Sequence, residues 1–267
     1  MLTRLREDLR EMFTEQVAYR ELLAEMTRRD LMLRYKQTVM GFGWAVFMPL
    51  LNTLIFSVVF MRVAPLDTGM PYPLYAYCGL LTWNFFASSL RFAATSLTAN
   101  TSLVTKVYFP REIFPFSAVV VSLVDLAVGS IMLVLFMAYY NIGVTAAILF
   151  LPAVVLVQVA FTSGMAMMLA MANLFYRDVK YLFEVVLTLW MFATSVLYPI
   201  ELAGGWVGGL LQLNPMTPMI DAYRSVLLRG ELPAMGPFSV AALLAFSTMM
   251  VAWVLFHRAE FQFAENA

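Results

Sequence analysis

Two ionisable residues, Arg91 and Asp125, lie inside long apolar runs. A charge at the centre of a bilayer costs roughly 2.5–3.5 kcal/mol on insertion scales, so such groups pair, face protein or line a wet path. Arg91 stands about two helical turns from the end of its run, and Asp125 about three turns from the facing end of the next. Consecutive runs are antiparallel neighbours, so an Arg91–Asp125 pair is expected, as a structural tie or as part of a path. Between the two runs sits "VTKVYFPREIFP", Val104 to Pro115, where Lys106, Arg111 and Glu112 mix with aromatic rings and proline. A plain connector would be short and polar. This one has the composition of a plug, with apolar anchors in the middle and charges at the rim.

Other chemistry is poorly represented. The single histidine, His257, ends the last apolar run and reads as interfacial. No catalytic constellation and no metal-ligand spacing is visible, and no cofactor is expected in the chain. There is no G-x-x-x-x-G-K-[ST] phosphate loop, so ATP hydrolysis by that device would belong to another polypeptide. A proton-coupled transporter wants several acids or bases at depth. A membrane transferase wants polar catalytic residues at one interface. Neither pattern stands out.

The elements that must position these residues follow from composition. The 267 residues are 62% hydrophobic and 13% charged, with net charge zero and a mean hydropathy of +0.79. A soluble domain would carry about a quarter charged residues. The class is an all-α polytopic membrane protein. An outer-membrane barrel is excluded, because the runs are continuous and do not alternate with period two. The zero net charge gives no sign of a nucleic-acid partner. Cys78 is the lone cysteine, so no internal disulfide forms.

Six spans are expected, at Met40–Met61, Leu74–Leu97, Phe114–Tyr140, Ala146–Leu174, Tyr181–Pro199 and Phe238–Phe256. One set of connectors holds Arg28, Arg29, Arg34, Lys36, Lys106, Arg111, Arg177, Lys180 and Arg258; the other holds Arg62, Arg224 and Arg229. The excess puts the first set, and both termini, on the cytoplasmic side. The opening "MLTRLREDLREMF" lacks the basic start and apolar core of a signal peptide. Leu2 to Met26 instead has helical apolar spacing, opposite a charged face from Arg4 to Glu15. That amphipathic helix should lie along the membrane or against protein. Residues 200–236 are broken by Gly204, Gly205, Gly208, Gly209, Pro215 and Pro218. They read as two re-entrant half-helices or as an interfacial loop, with Thr217 a possible N-cap. Trp83 and Trp190 lie too deep for an interfacial belt. With Phe86 and Tyr198 they fit either helix packing or an aromatic-lined path for a long neutral cargo.

Three stretches carry a family likeness: "RDLMLRYKQTVMGFGWAVFMPLL", "TKVYFPREIFP" and "FYRDVKYLFE". "YPLYAYCGLLTWNFFASSL" and "LNPMTPMIDAYR" add to it, and the five occur in order over nearly the whole chain. The chain resembles the permease subunits of type-2 ABC transporters that export O-antigen, capsule or teichoic acid chains. The resemblance implies a cytoplasmic gate helix with a basic linker over residues 1–36 and a transmembrane domain over 37–267. It implies a homodimer in the inner membrane, joined by two ATPase subunits that hold ATP and magnesium. It makes residues 100–113 a coupling helix, with Leu103, Val104, Tyr108 and Phe109 as anchors, Lys106, Arg111 and Glu112 as the rim, and Pro110 as its end. The implied cargo is a lipid-linked polysaccharide, O-antigen-like in preference, whose diphosphate headgroup Arg28, Arg29, Arg34 and Lys36 would guide. An exporter of a small drug or lipid and a membrane-embedded transferase are the alternatives.

Overall fold

The computed structural model describes residues 14–36, 38–106, 109–199, 208, 209, 211, 213–260 and 263, with Lys106 described in its backbone only. All regular structure among them is helical. The helices are α1 (Arg20–Tyr35), α2 (Gly43–Val58), α3 (Tyr72–Ser96), α4 (Thr101–Lys106) and α5 (Ile113–Tyr139). They continue with α6 (Leu151–Phe175), α7 (Val179–Phe192), α8 (Met216–Arg224) and α9 (Met235–Ala259). Pro73 and Pro152 stand in the first turns of α3 and α6, where a missing N–H costs nothing.

Four segments among the described residues are long and apolar enough to cross a membrane: Gly43–Val63, Ile113–Tyr139, Ala146–Phe175 and Met235–Ala259. Their outer faces carry Leu54, Val134 and Leu243, each more than half exposed. Such surfaces match hydrocarbon and would aggregate in water. The chain is therefore a multi-pass membrane protein.

The helix α3 is long enough to span but less apolar, and its place explains why. It packs against α2, α5, α6, α7 and α8, and residues around it from Leu74 to Leu90 are buried. A helix ringed by protein can carry hydroxyls, provided they are bonded. Thr82 donates to the Cys78 and Gly79 carbonyls and Ser89 to that of Phe85. The helices α6 and α9 meet closely at Gly164, where an added Cβ would lie 2.8 Å from the Met249 nitrogen.

The expected fifth span to Pro199 is shorter in the structure. The helix α7 ends at Phe192, and at about 1.5 Å per residue its 14 residues reach roughly 21 Å, short of the ~30 Å hydrocarbon layer. Residues 193–198 form turns. The helix α8 starts one residue before Thr217 with Pro215 at its N-cap, and Asn214 Oδ1 just ahead of it accepts from the Met216 N–H at 3.1 Å. The first part of the 200–236 stretch, residues 200–207, lies outside the described residues, as do residues 1–13 of the amphipathic helix.

Two apolar clusters make the core. The larger one fills the bundle around α3. The smaller joins Leu97, Val104, Phe109, Phe114, Leu174, Phe256 and Phe263 at one end. Leu22, Leu23 and Met26 of α1 rest on it, while Val17 and Leu33 are exposed. The face of α1 that holds these residues therefore packs on protein.

Candidate functional site

The connector between α3 and α5 closes that end of the bundle, and its side chains face the other way from the sequence expectation. Val104 is fully buried, Phe109 is 4% exposed and Pro110 is buried. Arg111 donates to the Val104 carbonyl at 3.1 and 3.3 Å and to Glu260 Oε1 at 2.9 Å. Glu112 is 1% exposed and lies 3.2 Å from His257 Nδ1. Val104, Phe109, Pro110, Arg111 and Glu112 thus hold the connector to the ends of α5 and α9 and present no rim outward. The cause is local. The chain leaves its helix after α4, so the Val104 carbonyl needs a donor, and Arg111 supplies it. Leu103 is half-buried, while Ser102 and Thr105 are exposed. Tyr108 and the Lys106 side chain lie outside the described residues.

This cluster is ionisable. Burial, then the neighbouring Glu112, pushes the Glu260 carboxyl up to about 7, against the pull of Arg111 and His257. Glu112, His257 and Glu260 place ligand atoms within 4.8 Å of one another. Arg111 already donates to Glu260, so a guanidinium supplies positive charge where a cation would sit.

The intramembrane ions pair differently from the expectation. Asp125 is taken by α1: Arg34 Nη1 is 2.6 Å from its Oδ2, and the Tyr35 hydroxyl donates to its Oδ1. Arg91 pairs with Glu184 of α7 at 3.0 Å. Arg91 and Asp125 line one cleft between α2, α3 and α5, yet each is taken by a different neighbouring helix. Arg34 is also 4.1 Å from the Phe92 ring centroid. The four cations expected to guide a headgroup therefore divide. Arg34 is held inward and Arg29 bonds Asp30, whereas Arg28 and Lys36 are exposed. Asp30 also accepts from Ser117, a second tie between α1 and α5.

The deep aromatics form one packed group. The Phe86 ring lies 5.2 Å from Trp190 and 5.7 Å from Phe161, and Trp83 lies 5.4 Å from Phe86. Trp83 and Phe86 are 3% and 0% exposed. Sealed between α3, α6 and α7, they glue helices and line no open path. Trp190 is half-buried and donates through Nε1 to Asn214 Oδ1 at 3.0 Å. The half-buried Tyr198 donates to the Phe192 carbonyl at 2.5 Å.

The end of α7 shows what hydropathy missed. Where the helix breaks, its carbonyls lose their partners, and side chains from elsewhere replace them. Asn214 donates to the Ala193 carbonyl and the Thr194 hydroxyl at 2.9 and 2.7 Å. Arg224, 1% exposed, donates to the Ser195 and Val196 carbonyls, both at 2.6 Å, and stacks 3.5 Å from the Tyr75 ring centroid. The Tyr72 hydroxyl donates to the Leu197 carbonyl. Gly79 leaves room for this knot, since a Cβ there would meet Val196 O at 2.4 Å and Arg224 Nη2 at 2.5 Å. Irregular backbone at membrane depth survives only when satisfied in this way. The available signal was Arg224 itself, a cation set among Ala222, Tyr223, Val226 and Leu227.

Comparison with known proteins adds the family. The profile of the ABC-2 type transporter family matches residues 21–228. The chain is 33% identical over 252 residues to the O-antigen export system permease protein RfbA of Myxococcus xanthus, covering 93% of this chain and 96% of that one. It is 28% identical over 246 residues to a protein of the same name from Klebsiella pneumoniae, covering 92% and 94%.

Proposed function

Because the chain belongs to the ABC-2 type transporter family, we propose that it is the membrane permease of an ATP-driven exporter of O-antigen. The observation that carries this reading is the near full-length similarity to two O-antigen export permeases. The chain is a transport subunit and not an enzyme. Hydrolysis of ATP, with its magnesium, falls to a pair of separate ATPase subunits bound to a permease homodimer in the inner membrane.

Six spans complete the topology in this reading. The four apolar crossings are joined by α3, shielded at the centre, and by α7 with its turn and the re-entrant 200–236 stretch. The cation-rich connectors put both termini and the α3–α5 connector in the cytoplasm. Residues 1–36 serve as gate helix and linker, and 37–267 as the transmembrane domain. The ATPase docks on the outward side of the connector, at the half-buried Leu103 and the exposed Ser102 and Thr105. The buried Val104, Phe109 and Glu112, with the half-buried Arg111, then pass the motion to α5 and α9. The lipid-linked glycan crosses in the gap between two permeases, with Arg28, Arg29 and Lys36 near its headgroup and Trp190 and Tyr198 near the path.

Purification of the chain from its native membranes in mild detergent tests this reading. A P-loop ATPase should co-purify, and Thr105→Glu should release it while the permease stays folded. An intact chain that brings no ATPase overturns the reading.

A further inference from the structure

A cleft of about 430 Å³ opens between the end of α1, α2, α3 and α5. Its walls are two helical stripes. Asn84, Ser88 and Arg91 repeat at three- to four-residue spacing on α3, and Trp44 and Asn52 lie on one side of α2. Arg34 completes the cationic end, with Asp125 beside it. From Arg91 to Asn84 is seven residues, about 10 Å along the helix axis. The chemistry changes over that distance, from two guanidinium groups to two carboxamides, with Met48, Leu81 and Phe85 around them.

The carboxamides are the telling feature. Among the described residues, neither Asn52 nor Asn84 makes a side-chain hydrogen bond. Each is half-buried on the cleft wall and offers two donors and an acceptor to whatever fills the cleft. On the same helix the Thr82 and Ser89 hydroxyls turn back to their own backbone, whereas the Asn84 amide faces the cleft. The two free amides are therefore placed for a ligand that brings hydroxyls. The guanidinium end is placed for an anion. Arg91 is held only by the half-exposed Glu184, and a phosphate can replace or join that partner.

We propose that this cleft, inside a single subunit, binds the headgroup of a glycolipid, with its phosphate at Arg34 and Arg91 and the first sugar at Asn52 and Asn84. The inference rests on the export reading above and adds a site that the gap between subunits does not contain. The apolar wall and Trp44 receive the start of the lipid tail or the sugar face. Asp125 repels an anion from the Arg34 side, so Arg91 carries most of the phosphate contact.

The test uses the full chain in nanodiscs and three probes: polyprenyl diphosphate bearing one N-acetylhexosamine, the same lipid without sugar, and phosphatidylglycerol. Binding is read by native mass spectrometry. The sugar-bearing lipid should bind about tenfold more tightly than the sugar-free one, the effect of one or two buried polar contacts. Asn52→Leu with Asn84→Leu should erase that preference and leave sugar-free binding unchanged. Arg91→Gln should weaken both diphosphate lipids. A photoreactive version of the first probe on the wild-type chain should label the Trp44–Asn52 and Leu81–Arg91 peptides, which keeps the test valid if a variant misfolds. A retained sugar preference in the double variant, equal binding of phosphatidylglycerol, or labelling confined to α7 overturns the proposal. With the ATPase still co-purifying, such results leave the export reading standing; without it, that reading fails on its own.

Discussion

The buried Arg224 and the half-buried Arg111 both close a break in a helix, yet their surroundings differ. Arg224 donates to backbone carbonyls and lies over the Tyr75 ring, with no carboxylate in ion-pair reach among the described residues. Arg111 donates to one carbonyl and to Glu260, and Glu112 and His257 adjoin it. Carbonyl acceptors have no proton to gain or lose, so the α7 knot is fixed across ordinary pH. The connector end depends on carboxylates and an imidazole, and its strength changes with protonation and with any partner that offers charge. A fixed end and an adjustable end suit a protein that must anchor one side of a path and move the other.

The largest effect should come from breaking the fixed end. Arg224→Met strands the Ser195 and Val196 carbonyls in apolar surroundings, at roughly 1–3 kcal/mol each. Thermal unfolding in detergent should show a loss of about 3–5 kcal/mol or no recoverable protein. Arg224→Lys should recover only part, because an ammonium cannot fork to two carbonyls and stack on a ring. Near-wild-type stability in Arg224→Met would remove the contrast between the ends.

Next in size is Gly79→Ala. Its Cβ would meet backbone at 2.4 Å, and overpacking of this kind costs about 1–3 kcal/mol. The loss should shrink in an Arg224→Met background, where one of the two clashes is gone, and a double-mutant cycle reads that coupling.

The adjustable end should show itself in pH dependence. Glu260 rises from its ordinary 4.5 to about 7, so the folded state favours the neutral carboxyl. The stability this gives is complete below pH 4.5 and is lost as pH rises through 7. Solvent screening reduces the difference to roughly 1–2 kcal/mol between the two limits. Melting at pH 5 and pH 8 should fall for the wild type and flatten for Glu260→Gln. Arg224→Lys should keep the wild-type slope, which separates the two ends. The smallest effect is expected at the exposed Arg91–Glu184 pair, where neutralising both partners should reveal a coupling under about 1 kcal/mol.

Much of the helical layout was legible in the sequence. The runs at Leu74–Leu97, Phe114–Tyr140 and Ala146–Leu174 fall within two residues of the observed segments Tyr72–Ser96, Ile113–Tyr139 and Ala146–Phe175, because length and hydropathy mark a helix at membrane depth directly. The end of α7 was not legible. Residues 193–199 carry no charge and continue the apolar run with Val196 and Leu197, and the groups that satisfy the break, Asn214 and Arg224, come from 20 or more residues away. The Val104–Pro115 stretch was legible as unusual but not in its direction. A segment so short has no periodicity to say which face is inward. The Arg91–Asp125 pairing failed for a related reason. Depth follows from counting residues, but the nearest opposite charge can come from any helix, and here α1 and α7 supplied the partners.

The export reading stands or falls on movement of the cargo. The permease, its co-purified ATPase and a fluorescent lipid-linked glycan can be reconstituted in proteoliposomes, with appearance of the glycan on the far leaflet read by lectin capture. Far-side glycan should accumulate only when ATP and the ATPase are both present, and Thr105→Glu should abolish it. Equal movement without ATP, or hydrolysis with no glycan moved, would contradict the assignment of this chain as an O-antigen export permease.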